Sequence, residues 1–312
     1  MQKLISTIGA LMLCFSLSAQ DYSSIDNGVI ALGPLANDNV SIITKKITAG
    51  LSDNGQKARA IYVWIANNIA ADPKTSKNFD QKNILPEQVI LLRKSNSKGF
   101  ANLYQEMASQ ANIRCLVVEG FKRKTIADIN DVYDAPNYAY NVVQLGKSPE
   151  QWYYVDAFAA AGTLDGKYTS FTKKYSPLYF FTDKNTFNLD HIAQNEAWQL
   201  GAGKYSRKEL FSMPVFFSPV YEFGISKAIP VSGLIKGKIS KPVSFSFHAL
   251  KPVEKIEVSV REGKKVFTKP IEFTQSGQKI SFTYKFEKSA SGGLYILING
   301  KEAIGYQIEM EE

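Results

Sequence analysis

The feature that most constrains this chain is a change of hydrophobic period near Lys204. Upstream, apolar residues recur at helical spacing; downstream they alternate residue by residue. A segment written in one period cannot bury its apolar face in the other geometry, so the chain divides into two kinds of structure. The later part carries short runs at Val231–Leu234, Val243–Phe247, Ile256–Val260, Ile280–Phe286, Leu294–Ile298 and Ala303–Ile308. The run Ile280-Ser281-Phe282-Thr283-Tyr284-Lys285-Phe286 alternates throughout, and Gly292-Gly293 and Asn299-Gly300 read as hairpin signals. A β-sandwich of immunoglobulin-like size is expected over 204–312. A length of 312 residues accommodates two domains.

The earlier part reads as helices followed by strands, hence an α+β domain over 20–203. Asp53 and Gln56 stand at capping-box spacing, and Ile61, Trp64, Ile65 and Ile69 then form one apolar face. That pattern predicts a helix over Asp53–Asp72, ended by Pro73. A second helix starts at Pro86 and carries Val89 to Leu92. A third runs from Ser97 to Gln110 with the stripe Phe100, Leu103, Met107 and Ala111. Strands are expected at Ile113–Phe121, Tyr138–Leu145 and Gln151–Ala157, the last two joined by the turn Gly146-Lys147-Ser148-Pro149. The Asp128–Asp134 segment lacks the glycine and terminal glutamate of an EF-hand and reads as a solvated loop beside a cleft.

The first residues are written as an export signal. Lys3 precedes the apolar stretch Leu4–Leu17, and Ser18-Ala19 offers a cleavage site before Gln20, which predicts a signal peptide over 1–19. Cys14 follows Leu13, which is not the small residue a lipidation site wants. The mature protein is therefore expected to be exported, periplasmic or extracellular. No later apolar run is long enough to cross a bilayer, so no stable membrane insertion is expected. Of 2 Cys, only Cys115 would remain, too few for an internal disulfide. Cys115 sits in a Val/Leu-rich run and reads as an inert core thiol. The formal charge of +8 comes from lysines interleaved with acids, a solvated surface with no nucleic-acid footprint. The 2 His, His191 and His248, read as structural or surface residues and give no metal-ligand spacing with Cys115, so neither a metal nor a cofactor is expected.

Five segments carry a family resemblance. Ala60-Ile61-Tyr62-Val63-Trp64-Ile65-Ala66-Asn67-Asn68-Ile69, Ser97-Lys98-Gly99-Phe100-Ala101-Asn102-Leu103, Tyr138-Ala139-Tyr140-Asn141-Val142-Val143 and Trp152-Tyr153-Tyr154-Val155-Asp156-Ala157 are followed by His191-Ile192 with Trp198-Gln199-Leu200. In this order they resemble the transglutaminase-like superfamily, a papain-type fold, and in particular its bacterial kyphoscoliosis-peptidase-related members. The resemblance implies a Trp-bearing helix, a nucleophile segment of the form Cys-x-Gly-Tyr-Ala, a strand reading His-Ala-Trp-Asn and a strand carrying the triad acid. It places Ser97, Tyr138 and Asp156 at the three catalytic positions.

Only the acid matches. Such a site needs a thiolate at a helix start, an imidazole to keep it ionised and an acid to orient the imidazole. A serine hydroxyl needs a stronger base than a thiol does, and a phenol at position 138 is a neutral donor at pH 7. Ser97, Tyr138 and Asp156 are thus expected to form a relic triad, and the chain is expected to be a catalytically inactive binding module. An extended peptide, a glycan or an envelope protein is the expected partner, with Tyr133, Tyr140, Asn141 and Phe158 lining the cleft beside Tyr138. The alternative is a thiol-dependent peptidase or transamidase with a nucleophile not yet located.

Overall fold

The computed structural model describes residues 21–148 and 151–311. The expected export segment, Cys14 and the tip of the turn at Pro149 lie outside the described residues.

The core domain is built around helix Asn54–Asn68. Asp53 caps it, accepting the Gln56 N–H at 2.9 Å. The sequence pattern assigns this helix one buried face. It is instead buried on all sides from Ala58 to Ala66, as befits a central helix. Arg59 is included because its guanidinium meets Asp26 at 2.6 Å and lies over the rings of Tyr22, Tyr62 and Phe180. Trp64 donates its indole N–H to the Gly33 carbonyl at 3.1 Å. The helix also ends earlier than Asp72. Asn67 and Asn68 turn their side-chain amides back to the carbonyls of Val63 and Trp64, at 2.8 and 2.9 Å. The chain then extends as Ala70–Ala71, parallel to Lys94–Ser95, and Pro73 opens a new short helix, Pro73–Lys77.

Helix Ser97–Gln110 packs on a four-stranded antiparallel sheet in the order Trp152–Val155, Tyr138–Gln144, Arg114–Lys122, His191–Ala193. Phe100, Leu103, Met107 and Ala111 are all buried, as their spacing requires. Helices Ser23–Ala31 and Val40–Ile47 also belong to this domain. Asn130, Asp131, Val132 and Asp134 are exposed, as expected of a solvated loop, but Asp128 departs from that reading. It is buried and accepts the backbone N–H of Lys124 and Thr125 and the Tyr133 hydroxyl, at 2.6, 2.8 and 2.7 Å. Its carboxylate holds the tight turn Ile126–Asp128.

From Ser226 onward the chain forms a β-sandwich. One sheet contains Ser226–Ile229, Val243–His248, Thr274–Ser276 and Lys279–Tyr284; the other contains Leu234–Lys238, Ile256–Glu262, Lys265–Ile271, Ala290–Ile298 and Lys301–Glu311. Asn299-Gly300 is the hairpin turn its sequence suggests, with both residues at positive φ, 49° and 78°. Gly292-Gly293 is not a turn. It lies inside strand Ala290–Ile298, where a Cβ on Gly292 would stand 2.3 Å from the Arg261 carbonyl oxygen.

The segment between the two units belongs to both. Helix Arg207–Ser212 packs Leu210 and Phe211 on Phe121 and Ile192 of the core sheet. Val215–Phe216 then pairs with the sandwich strand at Ile304 and Gly305. The Gln307 side-chain amide donates to the Ile126 carbonyl at 2.8 Å, and Lys301 pairs with Glu222 at 2.7 Å. These contacts fix one face of the sandwich against the mouth of the core domain. Among the described residues no helix is long and apolar enough to cross a membrane.

Candidate functional site

Ser97 is the first residue of its helix. Asn96 caps that helix, its side-chain oxygen accepting the N–H of Lys98 and Gly99 at 3.1 and 3.2 Å. The Ser97 hydroxyl oxygen accepts the Ala139 N–H at 3.2 Å, which ties the helix start to strand Tyr138–Gln144. Tyr138 opens that strand and donates its hydroxyl to Asp156 Oδ2 at 2.8 Å. Asp156 follows the next strand and caps helix Ala157–Ala161, its Oδ1 accepting the Ala159 N–H at 2.9 Å. The structure therefore brings Ser97, Tyr138 and Asp156 together.

It also brings in a residue that sequence reasoning set aside. His191, on strand His191–Ala193, is 1% exposed. Its ring stacks on Phe187 with centroids 4.1 Å apart and lies between two carboxylates. Nδ1 is 2.5 Å from Asp190 Oδ1; Nε2 is 3.3 Å from Asp156 Oδ2 but out of line for a hydrogen bond. The Tyr221 hydroxyl also bonds Asp190. Lys122 completes the cluster, its ammonium 3.5 Å from Asp190 and 4.0 Å from Asp156, above the ring of Tyr138. The signal for this cluster was the dipeptide Asp190-His191 within the closing motif.

Electrostatics follow from this packing. Burial pushes the Asp156 carboxyl up, but the His191 ring, the Lys122 ammonium and the Ala159 N–H together hold it below the ordinary carboxylate value. Burial likewise raises Asp190, and the His191 ring, Lys122 and the Tyr221 hydroxyl outweigh it, leaving a value of about 2. Tyr138 moves the other way. Burial first, then the Asp156 charge and hydrogen bond, drive its phenol well above its usual range. Tyr138 is thus a fixed hydrogen-bond donor to Asp156 and unsuited to accept a proton from Ser97.

Ser97, Lys122, Tyr138 and Asp190 line a groove of about 490 Å³. One wall is core-domain surface: Phe158, the strand Gly162–Leu164, Tyr168 and Tyr179. The facing wall is Phe217 with Arg261, Tyr295 and Glu302 of the sandwich. His191 is not among the lining residues. Of the residues expected to line the cleft beside Tyr138, Phe158 does so, edge-on to Tyr138 and Phe100. Tyr140 and Asn141 do not. Tyr140 is buried against Tyr154, Phe187 and His191, while Asn141 bonds the Ala101 carbonyl at 2.9 Å. Both lie in a strand covered on its two faces, so alternation sends neither side chain to the groove. Tyr133 packs on Phe211 and bonds Asp128, in the small cluster under helix Arg207–Ser212. Sequence reasoning missed the sandwich wall because its three residues come from separate strands far along the chain.

Cys115 is buried in the core sheet beside Asn141, and burial pushes its thiol far up. His248 ends strand Val243–His248 of the sandwich. Among the described residues no group of three or more His, Cys, Asp or Glu side chains is arranged to hold a metal ion.

Residues 42–157 match the transglutaminase-like superfamily. The chain is similar to kyphoscoliosis peptidase of Mus musculus, 27% identical over 185 residues, covering 58% of this chain and 27% of that protein. It is also similar to kyphoscoliosis peptidase of Homo sapiens, 25% identical over 225 residues, covering 71% of this chain and 33% of that protein. The chain thus spans a third or less of the length of these curated relatives. A crystal structure of a TGase aligns over 54% of this chain and 38% of its own, at 15% identity and a TM-score of 0.29.

Proposed function

Since residues 42–157 form a domain of the transglutaminase-like superfamily, we propose that this chain keeps the superfamily's cleft for binding and has given up its chemistry. In this reading the exported protein holds an extended peptide in the groove, at the cell envelope, without cleaving or transferring it. One observation carries the reading: on the groove floor the Ser97 hydroxyl accepts the Ala139 N–H, and the adjacent residue, Tyr138, gives its phenol to Asp156 where an imidazole would be needed. The nearby imidazole, His191, is packed out of the groove between Asp156 and Asp190. Among the described residues no proton acceptor of suitable strength bonds Ser97, and the Cys115 thiol is buried in the core sheet, which also weakens the thiol-enzyme alternative.

The groove suits a ligand better than a reaction. Rings of Tyr138, Phe158, Tyr168 and Tyr295 offer large contact area with few rotatable bonds. Because the walls come from both domains, removing a ring from either should weaken binding. Phe158→Ala and Tyr295→Ala are each expected to reduce affinity for fluorescein-labelled extended peptides by about tenfold, the size of an anchor-residue truncation. Tyr133→Ala should leave it unchanged. Fluorescence anisotropy gives the affinities, and mass spectrometry of the same mixtures should recover the peptides intact. Peptides that never bind, or that emerge cleaved or deamidated, would refute the reading.

A further inference from the structure

Building on the reading of the groove as a peptide cleft, we propose that its occupant is an acidic peptide. It would add as a strand along Gly162–Leu164 and set a carboxylate against Lys124.

The first observation is an open sheet edge. Strand Gly162–Leu164 pairs only with Phe171–Lys173, in a two-stranded antiparallel sheet. The Ala161 carbonyl accepts from Lys174 and the Asp165 N–H donates to Ser170, each at 3.1 Å. In an antiparallel ladder, inward and outward backbone groups alternate, so residues 161, 163 and 165 face the partner strand. Gly162 and Leu164 therefore present their N–H and C=O groups to the other side. Among the described residues no strand pairs there, and all of Gly162, Thr163 and Leu164 line the groove. An unpaired edge of this kind is a template for an extended backbone. A glycan has no amide repeat to match it, which favours a peptide.

The second observation is charge. Groove cations divide into paired and unpaired. Lys122 is matched by Asp190 and Asp156, and Arg261 by Glu302. Lys124 and Arg123 also line the groove, and among the described residues neither has a carboxylate at ion-pair distance. Arg123 is 1% exposed, gives two hydrogen bonds to the carbonyls of Met213 and Leu189, and leaves its Nε without a partner. The Lys124 ammonium lies 4.8 Å from the centre of the Tyr168 ring, and burial lowers it to about 8. The Asp128 charge reaches this ammonium only through space, beyond ion-pair distance, so an incoming carboxylate still gains, since the cost of removing the ammonium from water has already been met in the fold. The four cations lining the groove, Lys122, Arg123, Lys124 and Arg261, exceed its three carboxylates, Asp165, Asp190 and Glu302, so the surplus charge is positive, complementary to Glu or Asp side chains on a strand whose backbone engages Gly162 and Leu164.

The test uses the full mature chain and three capped, fluorescein-labelled peptides. One alternates Glu and Thr, one replaces each Glu by Gln, and one is the Glu peptide N-methylated at alternate backbone nitrogens. The Glu peptide should bind, and the Gln peptide should bind about tenfold more weakly. Lys124→Ala should lower Glu-peptide affinity by a similar factor and leave Gln-peptide affinity unchanged. N-methylation removes the donors that an added strand needs and should abolish binding without altering the protein. Equal affinity for the Glu and Gln peptides would overturn the charge assignment while leaving the peptide cleft intact. Undiminished binding of the N-methylated peptide would overturn the added strand. If no peptide binds but polygalacturonate does, both this inference and the peptide reading of the groove fail.

Discussion

His191→Ala is expected to destabilise the core domain by about 3–5 kcal/mol, the cost of removing one member of a buried ionic network. In a domain of this size that corresponds to a fall of about 10 °C in Tm. The reason is geometric. The His191 ring lies between Asp156 and Asp190, and without it the two buried carboxylates keep only Lys122, the hydroxyls of Tyr138 and Tyr221 and the Ala159 N–H. The exposed pair Lys46–Asp38 provides the contrast, and Lys46→Ala should cost no more than about 0.5 kcal/mol. Acid should make the effect smaller. Asp156 and Asp190 both titrate below their unfolded values, so each adds stability that is fully present above pH ~4 and lost as pH falls through the folded value. For Asp190 that value is about 2. Removing His191 removes a cause of both depressions, so the variant should lose less stability on acidification, and its deficit against the wild type should narrow as pH falls below ~4. Thermal unfolding followed by circular dichroism from neutral to acid pH measures both effects. A variant within about 1 kcal/mol of wild type, with an unchanged acid limb, would mean that the network carries little of the fold.

The second large effect is chemical. Ser97→Cys alone should give a thiol that titrates near ~8.5, because the neighbouring phenol offers it no proton acceptor. Adding Tyr138→His places an imidazole where the phenol now meets Asp156, at a helix start already capped by Asn96. An imidazole held by a carboxylate beside a thiol at a helix N-terminus lowers the thiol's pKa. The double variant should therefore react with iodoacetamide about tenfold faster than Ser97→Cys at pH 7, with its rate-against-pH curve displaced to lower pH. Superimposable curves would show that residue 138 does not face residue 97, against what the Ser97 hydrogen bond to the neighbouring Ala139 N–H implies.

Much of the fold was legible because local signals agreed with one another. The Asp53 cap, Pro86, the Ser97 helix start and the Asn299-Gly300 turn each have a mechanism confined to a few residues, and each stands where its sequence puts it. Signals failed where distant packing decided the outcome. Helix Asn54–Asn68 is surrounded by other elements, so its polar Arg59 is satisfied by Asp26, a partner no helical period reveals. Gly292-Gly293 reads as a turn and serves as a close-approach point for strand Ile256–Glu262. At the site, motif order was enough to bring Ser97, Tyr138 and Asp156 together. It could not place His191, whose role depends on strand His191–Ala193 pairing beside Lys122. Nor could it tell that Tyr140 and Asn141 point into the core, because a strand buried on both faces shows no alternation to read.

The central claim is that this site binds without reacting. The most direct test is release of ammonia or new amine from glutamine-containing peptides, measured for the mature wild type and for Ser97→Ala at equal concentration. Loss of a catalytic triad removes up to about a million-fold of rate, so the wild type should be indistinguishable from Ser97→Ala and from buffer. Wild-type turnover abolished in Ser97→Ala would contradict the account outright, by showing that Ser97 is a working nucleophile after all.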